Sequence, residues 1–259
     1  MKHLLGQLHK FQRDLRTGAV LFLDYDGTIV PIARRPELAI LPDDTRKLLR
    51  ALTGKFKLVI ISGRDLNSVK QLVRLKSIYY VGNHGFEING PSVKVIKSEA
   101  KRTRPIISDI CRKLQEKVRK MKGVVLENKG LTASVHYRLL ERDKVKKFKK
   151  IFWDVISPYV ASGKVRVTEG KKVFEIRPNL NWDKGKAALW ILSVIDPKKK
   201  LIPVYVGDDQ TDEDAFSALK DRGITVVVSP RPKGSQAKFF LRNVGEVKAF
   251  LGKMAQMVD

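Results

Sequence analysis

The chain has a single cysteine, Cys111, among its 259 residues. That count excludes an intramolecular disulfide and every metal site built from several thiolates. Long hydrophobic runs are also missing, since no apolar stretch approaches the ~20 residues a membrane-spanning helix needs. The apolar positions near the start, Leu4, Leu5 and Leu8, are interrupted by polar and charged residues. No secretory leader is expected from them. Acidic residues are scarce beside basic ones, with 27 Asp and Glu against 52 Lys and Arg, a formal net charge of +25. The excess carries no basic tail, zinc-finger spacing, RNA-binding motif or basic-zipper pattern. It is densest between Pro105 and Pro178, which hold 19 basic and 8 acidic residues. These absences predict a cytoplasmic protein with a solvated Lys-rich surface, no membrane association and no nucleic-acid partner. A positive field of this kind would draw in an anionic small molecule.

What is present is concentrated at three strand ends. Val20 to Thr28 reads V-L-F-L-D-Y-D-G-T, an apolar run closed by two aspartates one residue apart. Alternation along a strand sends Asp24 and Asp26 to one side, where the carboxylates repel unless a cation or proton joins them. Asp-Gly between apolar runs is equally a hairpin-turn signal. Lys57 to Arg64, K-L-V-I-I-S-G-R, and Leu201 to Asp214, L-I-P-V-Y-V-G-D-D-Q-T-D-E-D, are two more apolar runs that stop at small, polar and acidic residues. Unbroken apolar runs suit strands buried on both faces, and ligands of open α/β sheets bind beyond the carboxyl ends of such strands.

The rhythm along the chain predicts strands at 19–24, 57–61, 78–81, 201–206 and 224–228, with helices at 43–53, 65–74, 184–194 and 212–220. This is an α/β, Rossmann-like core with a parallel sheet. Between 105 and 178 the order changes to helix (106–121), hairpin (123–137), helix (142–156), hairpin (164–176). That is α+β organisation inserted into the core, so the expected division is 1–104 and 179–259 for the core and 105–178 for a cap acting as a lid.

An aspartate carboxylate can attack a phosphoryl group directly, giving an aspartyl-phosphate. Both partners are anionic, a difficulty that Mg²⁺ relieves by bridging carboxylate and phosphate oxygens. Asp24, Asp26 and Asp208 offer only hard oxygen donors, which favours Mg²⁺ over zinc. Ser62, the backbone N–H groups after it, and Lys184 in N-W-D-K-G-K suit the remaining phosphate charge. Taken singly, a serine before Gly-Arg is more often a helix cap, and a lysine in a chain with this many lysines is most often solvent-facing.

The order D-Y-D-G-T, S-G-R, K-G-K, G-D-D-Q-T-D-E-D resembles the haloacid dehalogenase (HAD) superfamily of phosphatases. Within it, Y-Y-V-G-N-H-G-F-E-I (79–88), L-E-N-K-G-L-T-A-S-V-H-Y-R (126–138) and K-K-V-F-E-I-R-P (171–178) look like the trehalose-6-phosphate phosphatases. The resemblance covers nearly the whole chain. It implies Asp24 as nucleophile and Asp26 as general acid, then base. It implies Mg²⁺ on Asp24, the Asp26 carbonyl and Asp208, with Asp209 and Asp212 in or near the outer shell. Ser62 and Lys184 would hold phosphate, with Arg64 bracing the same loop. Glu127, Lys129, Arg138, Lys171 and Glu175 on the cap would read the sugar of trehalose 6-phosphate, and His84 would hydrogen-bond substrate. Each cap residue is also readable as a cross-strand charge pair, and His136 as a satisfied hairpin residue. The alternatives are a related phosphatase for sucrose phosphate or a glycosyl-phosphoglycerate, or a non-catalytic regulatory partner of a trehalose-phosphate synthase.

Overall fold

The computed structural model describes residues 1–257. They form two compact units, one of residues 1–95 with 182–257 and one of residues 96–181. In chain order the first unit opens with β1 (Lys2–His3), α1 (Gln12–Arg16), β2 (Ala19–Asp24), α2 (Asp43–Thr53), β3 (Lys57–Ile61), α3 (Leu66–Val73), β4 (Tyr79–Gly82), β5 (Glu87–Gly90) and β6 (Val93–Ile96). The second contains α4 (Ser98–Arg102), α5 (Arg104–Val118), β7 (Val125–Asn128), β8 (Ala133–His136), α6 (Val145–Ala161), β9 (Val165–Gly170) and β10 (Val173–Pro178). The chain then returns with α7 (Lys184–Ile195), β11 (Ile202–Gly207), α8 (Glu213–Leu219), β12 (Ile224–Val228), β13 (Phe239–Leu241) and α9 (Val244–Gln256).

The core sheet runs β1-β13-β12-β11-β2-β3-β4-β5-β6. Its pairs are parallel from β1 to β4, and β5 turns back antiparallel on β4. Every residue of β2 is buried because its side chains alternate between two cores. Leu21 and Leu23 pack with Val69 and Val73 of α3, Leu49 and Leu52 of α2 and Phe250 of α9. Val20 and Phe22 pack with Ala187 and Ile191 of α7 and Phe216 of α8. Continuous burial of this kind is the reason the parallel strands read as unbroken apolar runs. Among the described residues, no helix is long and apolar enough to cross a membrane.

The second unit is a four-stranded antiparallel sheet, β7-β8-β10-β9. Its apolar face, with Val135, Phe174 and Ile176, packs on Ile110 and Leu114 of α5 and Phe148 and Phe152 of α6. Pro105 sits in the first turn of α5, where its missing N–H leaves no helical bond unmade. The unit takes in α4, which runs into α5 through Thr103, the C-cap of one and the N-cap of the other. It continues to 181 because Asn179 is tied to β9's approach, its backbone N–H donating to the Lys164 carbonyl at 3.2 Å and its side chain to the Gly163 carbonyl at 3.1 Å. Strands β1, β5, β6 and β13 and helices α1, α4 and α9 fall outside the sequence expectations. The four strands, none longer than four residues, are too short for periodicity to mark them. Helix α9 does carry a helical spacing in Val247, Phe250, Leu251 and Met254, and an Asn243 cap.

Candidate active site

Strands β3 and β4 lie to one side of β2, while β11, β12 and β13 lie to the other. The winding of the sheet reverses between β2 and β11, which places the ligand crevice at their carboxyl ends. Asp24 closes β2, and Asp208 follows β11 directly. Asp24 shares the face of Val20 and Phe22 and so points towards α7, where it is only 4% exposed. Asp183 caps α7 by accepting the Lys186 N–H at 2.8 Å, which sets Lys184 at the first helical position. The Lys184 ammonium donates to Asp24 Oδ1 and to Asp212 Oδ1, both at 2.8 Å.

Asp212 is the hub of the acidic loop. Its Oδ1 also accepts the Tyr205 hydroxyl at 2.8 Å, and its Oδ2 accepts the backbone N–H groups of Asp208 at 3.0 Å and Asp209 at 3.1 Å. Four donors fill the hydrogen-bonding capacity of one carboxylate. Asp209 is held by Thr211, whose N–H and hydroxyl donate to its Oδ1 at 2.8 and 2.7 Å. The sequence reading places Asp212 at the start of a helix. In the structure it precedes α8 without capping it and turns its side chain back into the site.

The charges do not balance. Asp24, Asp208 and Asp212 can offer oxygens that all lie within 4.8 Å of one another. Burial pushes Asp24 well up, with Lys184 opposing and the neighbouring acids adding to the rise. Burial likewise raises Asp212 to about 7 against the pull of Lys184. Lys184 would be pulled down by its burial, but Asp212 and Asp24 outweigh that and hold it well above its ordinary value. Asp209 lies below its usual range, because the Lys184 charge and the Thr211 bonds overcome its burial. Asp24 and Asp208, with Asp212 behind them, form an oxygen-only donor set that fits a small hard cation. Gly27 leaves the space that the Asp208 carboxylate occupies: at φ 86°, a Cβ there would fall 2.3 Å from Asp208 Oδ2.

Asp26 stands beside this cluster and is gripped by Arg64, whose Nε and Nη2 donate to its two oxygens at 2.7 Å each. The same guanidinium lies 5.3 Å from the Tyr25 ring centre and donates to the Pro36 carbonyl at 2.9 Å. The structure thus directs Arg64 onto Asp26. Ser62 is buried after β3, and its Oγ accepts the Arg64 N–H at 3.1 Å. His84 lies over this loop, so close that a Cβ on Gly63 would sit 2.6 Å from its ring. Asn83 and His84 take φ of 50° and 56°, a left-handed pair that non-glycine residues seldom adopt. Glu87 Oε2 stabilises that turn by accepting from Asn83 Nδ2 at 2.7 Å and from the Leu66 N–H at 3.1 Å.

In the second unit, Glu127, Ser134, Glu175 and Thr168 are direct cross-strand partners in one row over β7, β8, β10 and β9. Side chains in such a row share a face, here the one opposite the apolar core. Lys129 Nζ lies 3.8 Å from Glu127 and 3.6 Å from Glu175, so three of the five expected sugar-reading residues form one cluster. His136 contacts Glu127 at 3.3 Å, and Ser134 donates to Glu175 at 2.7 Å. Arg138 and Lys171 are joined at another place, where Arg138 Nη2 donates to the Lys171 carbonyl at 3.0 Å. The sequence reading overlooked Tyr205, Thr211, Ser134 and Glu87. A phenol in an otherwise aliphatic strand, three residues before Asp208, was the available signal for Tyr205.

A trehalose-phosphatase family model matches residues 22–244. The chain is 34% identical over 255 residues to probable trehalose-phosphate phosphatase D of Arabidopsis thaliana, covering 92% of this chain and 67% of that protein. It is 36% identical over 267 residues to probable trehalose-phosphate phosphatase I of the same plant, covering 96% and 72%. This chain therefore spans roughly two thirds of the length of these relatives. The solved structure of the C. albicans trehalose-6-phosphate phosphatase C-terminal domain superposes with a TM-score of 0.82 at 25% identity, covering 98% of each chain. Sequence match, fold and the arrangement of acids at the switch point agree: the chain belongs to the trehalose-phosphatase family, phosphoric monoester hydrolases on the haloacid dehalogenase fold.

Proposed function

We propose that this chain hydrolyses trehalose 6-phosphate to trehalose and phosphate through an aspartyl-phosphate on Asp24, with Mg²⁺ as its metal. The observation that carries the reading is the buried Asp24, held at 2.8 Å by Lys184 and beside Asp208 at the mouth of the sheet. Asp24, Asp208 and the Asp26 backbone carbonyl would hold the ion, with Asp209 and Asp212 behind them. When bound, Mg²⁺ supplies the positive charge that offsets the meeting of carboxylate and phosphate.

An Asp24 oxygen attacks phosphorus as the bond from phosphorus to the sugar oxygen breaks, and Asp26 gives that oxygen its proton. Asp26 then takes a proton from water, whose oxygen attacks the same phosphorus and frees the Asp24 carboxylate. Arg64 grips both oxygens of the ionised Asp26, the form that takes a proton from water; in the acid step one of those bonds gives way to the proton that Asp26 carries. Ser62 and Lys184 hold the phosphate oxygens, and His84 reaches the substrate beside them. Glu127, Lys129 and Glu175 read sugar hydroxyls, which both donate and accept, while Arg138 and Lys171 supply further donors. Domain assignments follow the same reading, with the segment around 105–178 acting as the sugar-binding cap.

The test is phosphate release with Mg²⁺ from trehalose 6-phosphate, sucrose 6-phosphate and glucose 6-phosphate in parallel. Selective turnover of trehalose 6-phosphate is expected. Turnover of a different sugar phosphate alone would overturn the cap assignment, and turnover of none would favour a regulatory role.

A further inference from the structure

Tyr205 lies in the middle of β11 with no solvent exposure, flanked in sequence by Val204 and Val206. Its ring is locked by aromatic neighbours: it stacks on Phe22 with centroids 6.0 Å apart and meets Phe216 edge-on at 5.7 Å. These contacts aim the hydroxyl into the acidic cluster, where it donates to Asp212 Oδ1 at 2.8 Å. The same oxygen accepts the Lys184 ammonium, while the other Asp212 oxygen accepts the backbone N–H groups of Asp208 and Asp209. Lys184 is shared between Asp212 and Asp24 at equal distances of 2.8 Å.

We infer that Tyr205 is a positioning residue: its hydroxyl fixes the Asp212 carboxylate, and through it both the backbone that presents Asp208 to the cation and the place of Lys184 between Asp24 and Asp212. Burial and the Asp212 charge keep the phenol protonated, so it remains a donor. Without it, Asp212 Oδ1 would have Lys184 as its one remaining donor among these four, and the ammonium would be drawn away from Asp24. A carboxylate with a missing partner also holds its loop less firmly. The inference rests on the proposed metal-dependent reading of the site.

The experiment uses Tyr205→Phe, which keeps the ring and its stacking, together with Asp212→Asn and the double variant. Mg²⁺ affinity is read from the rise in melting temperature on titration with the ion, independently of turnover, and kcat and KM are measured beside it. The expected result is a folded Tyr205→Phe protein whose Mg²⁺ affinity is weaker by about tenfold, with a comparable fall in kcat. In the Asp212→Asn background the same change should alter Mg²⁺ affinity by less than about twofold, because coupled residues are not additive. Unchanged Mg²⁺ affinity in Tyr205→Phe, or an equal loss in both backgrounds, would overturn the inference. If instead the unaltered protein binds Mg²⁺ but releases no phosphate from sugar phosphates, the functional reading fails while the positional one is still decided by the titration.

Discussion

Lys184 is the cation on which the buried carboxylates depend, at 2% exposure and in contact with both Asp24 and Asp212. Removing one member of a buried ionic group leaves the others uncompensated, which destabilises by about 3–5 kcal/mol. Lys184→Met is therefore predicted to lower the unfolding free energy by that amount in metal-free denaturant titrations, besides abolishing turnover. A loss of less than about 1 kcal/mol would mean that the acids find another way to shed their charge. At this scale Asp24, Asp26 and Asp208 stood out in the sequence because they follow apolar runs, and Lys184 stood out only through its order and spacing among the other motifs. The Arg64 grip on Asp26 did not, since the two residues meet only when β2 and β3 pair. Tyr205 was hidden for a different reason: an aromatic residue in a buried strand reads as core, and its hydroxyl acquires meaning only from Asp212, seven residues on.

The elements explain why some segments were easy to read. Strands β2, β3 and β12 have the boundaries that their apolar runs suggest, because burial on both faces leaves few positions for a polar residue, here Asp24, Lys57 and Thr225. Strand β13 is three residues long and is defined by its partner β12 more than by its own pattern. In the second unit the polar face of the sheet predicts a pH dependence. Glu127 lies below its ordinary value of 4.5, because its burial is outweighed by the His136 hydrogen bond and the Lys129 charge. Glu169 is lowered by its bonds to Lys149 and Tyr137. Groups depressed by folding add stability that is complete above the unfolded value and is lost as pH falls through the folded one. Urea titrations monitored by amide exchange of β7 to β10 should show this unit weakening below about pH 4.5. Glu127→Gln should remove part of that slope, and an unchanged slope would show that the Glu127 contacts do not stabilise the fold.

For the whole molecule, the charge excess is the property least explained by the fold, because solvated lysines leave no mark on packing. The sequence made it visible as +25 without saying what it serves. A field of that sign attracts a dianionic sugar phosphate, and salt screens it over a Debye length of about 8 Å at 0.15 M. Apparent KM is accordingly predicted to rise several-fold between about 0.02 M and 0.5 M salt, with kcat nearly constant. A KM indifferent to salt would confine substrate attraction to the site's own groups. The change from alternating strands and helices to paired hairpins is visible in the sequence, whereas the hydrogen bonds that tie Asn179 to the second unit leave no composition shift to read.

The central claim is that Asp24 carries the phosphoryl group taken from trehalose 6-phosphate. Its most direct test is rapid acid quenching of the Mg²⁺-loaded enzyme during turnover of that substrate, followed by peptide mass mapping. The account predicts a phosphoryl adduct on the peptide containing Asp24 during turnover, absent in Asp24→Asn. Turnover with no adduct in the unaltered protein, or persistent turnover in Asp24→Asn, would contradict it.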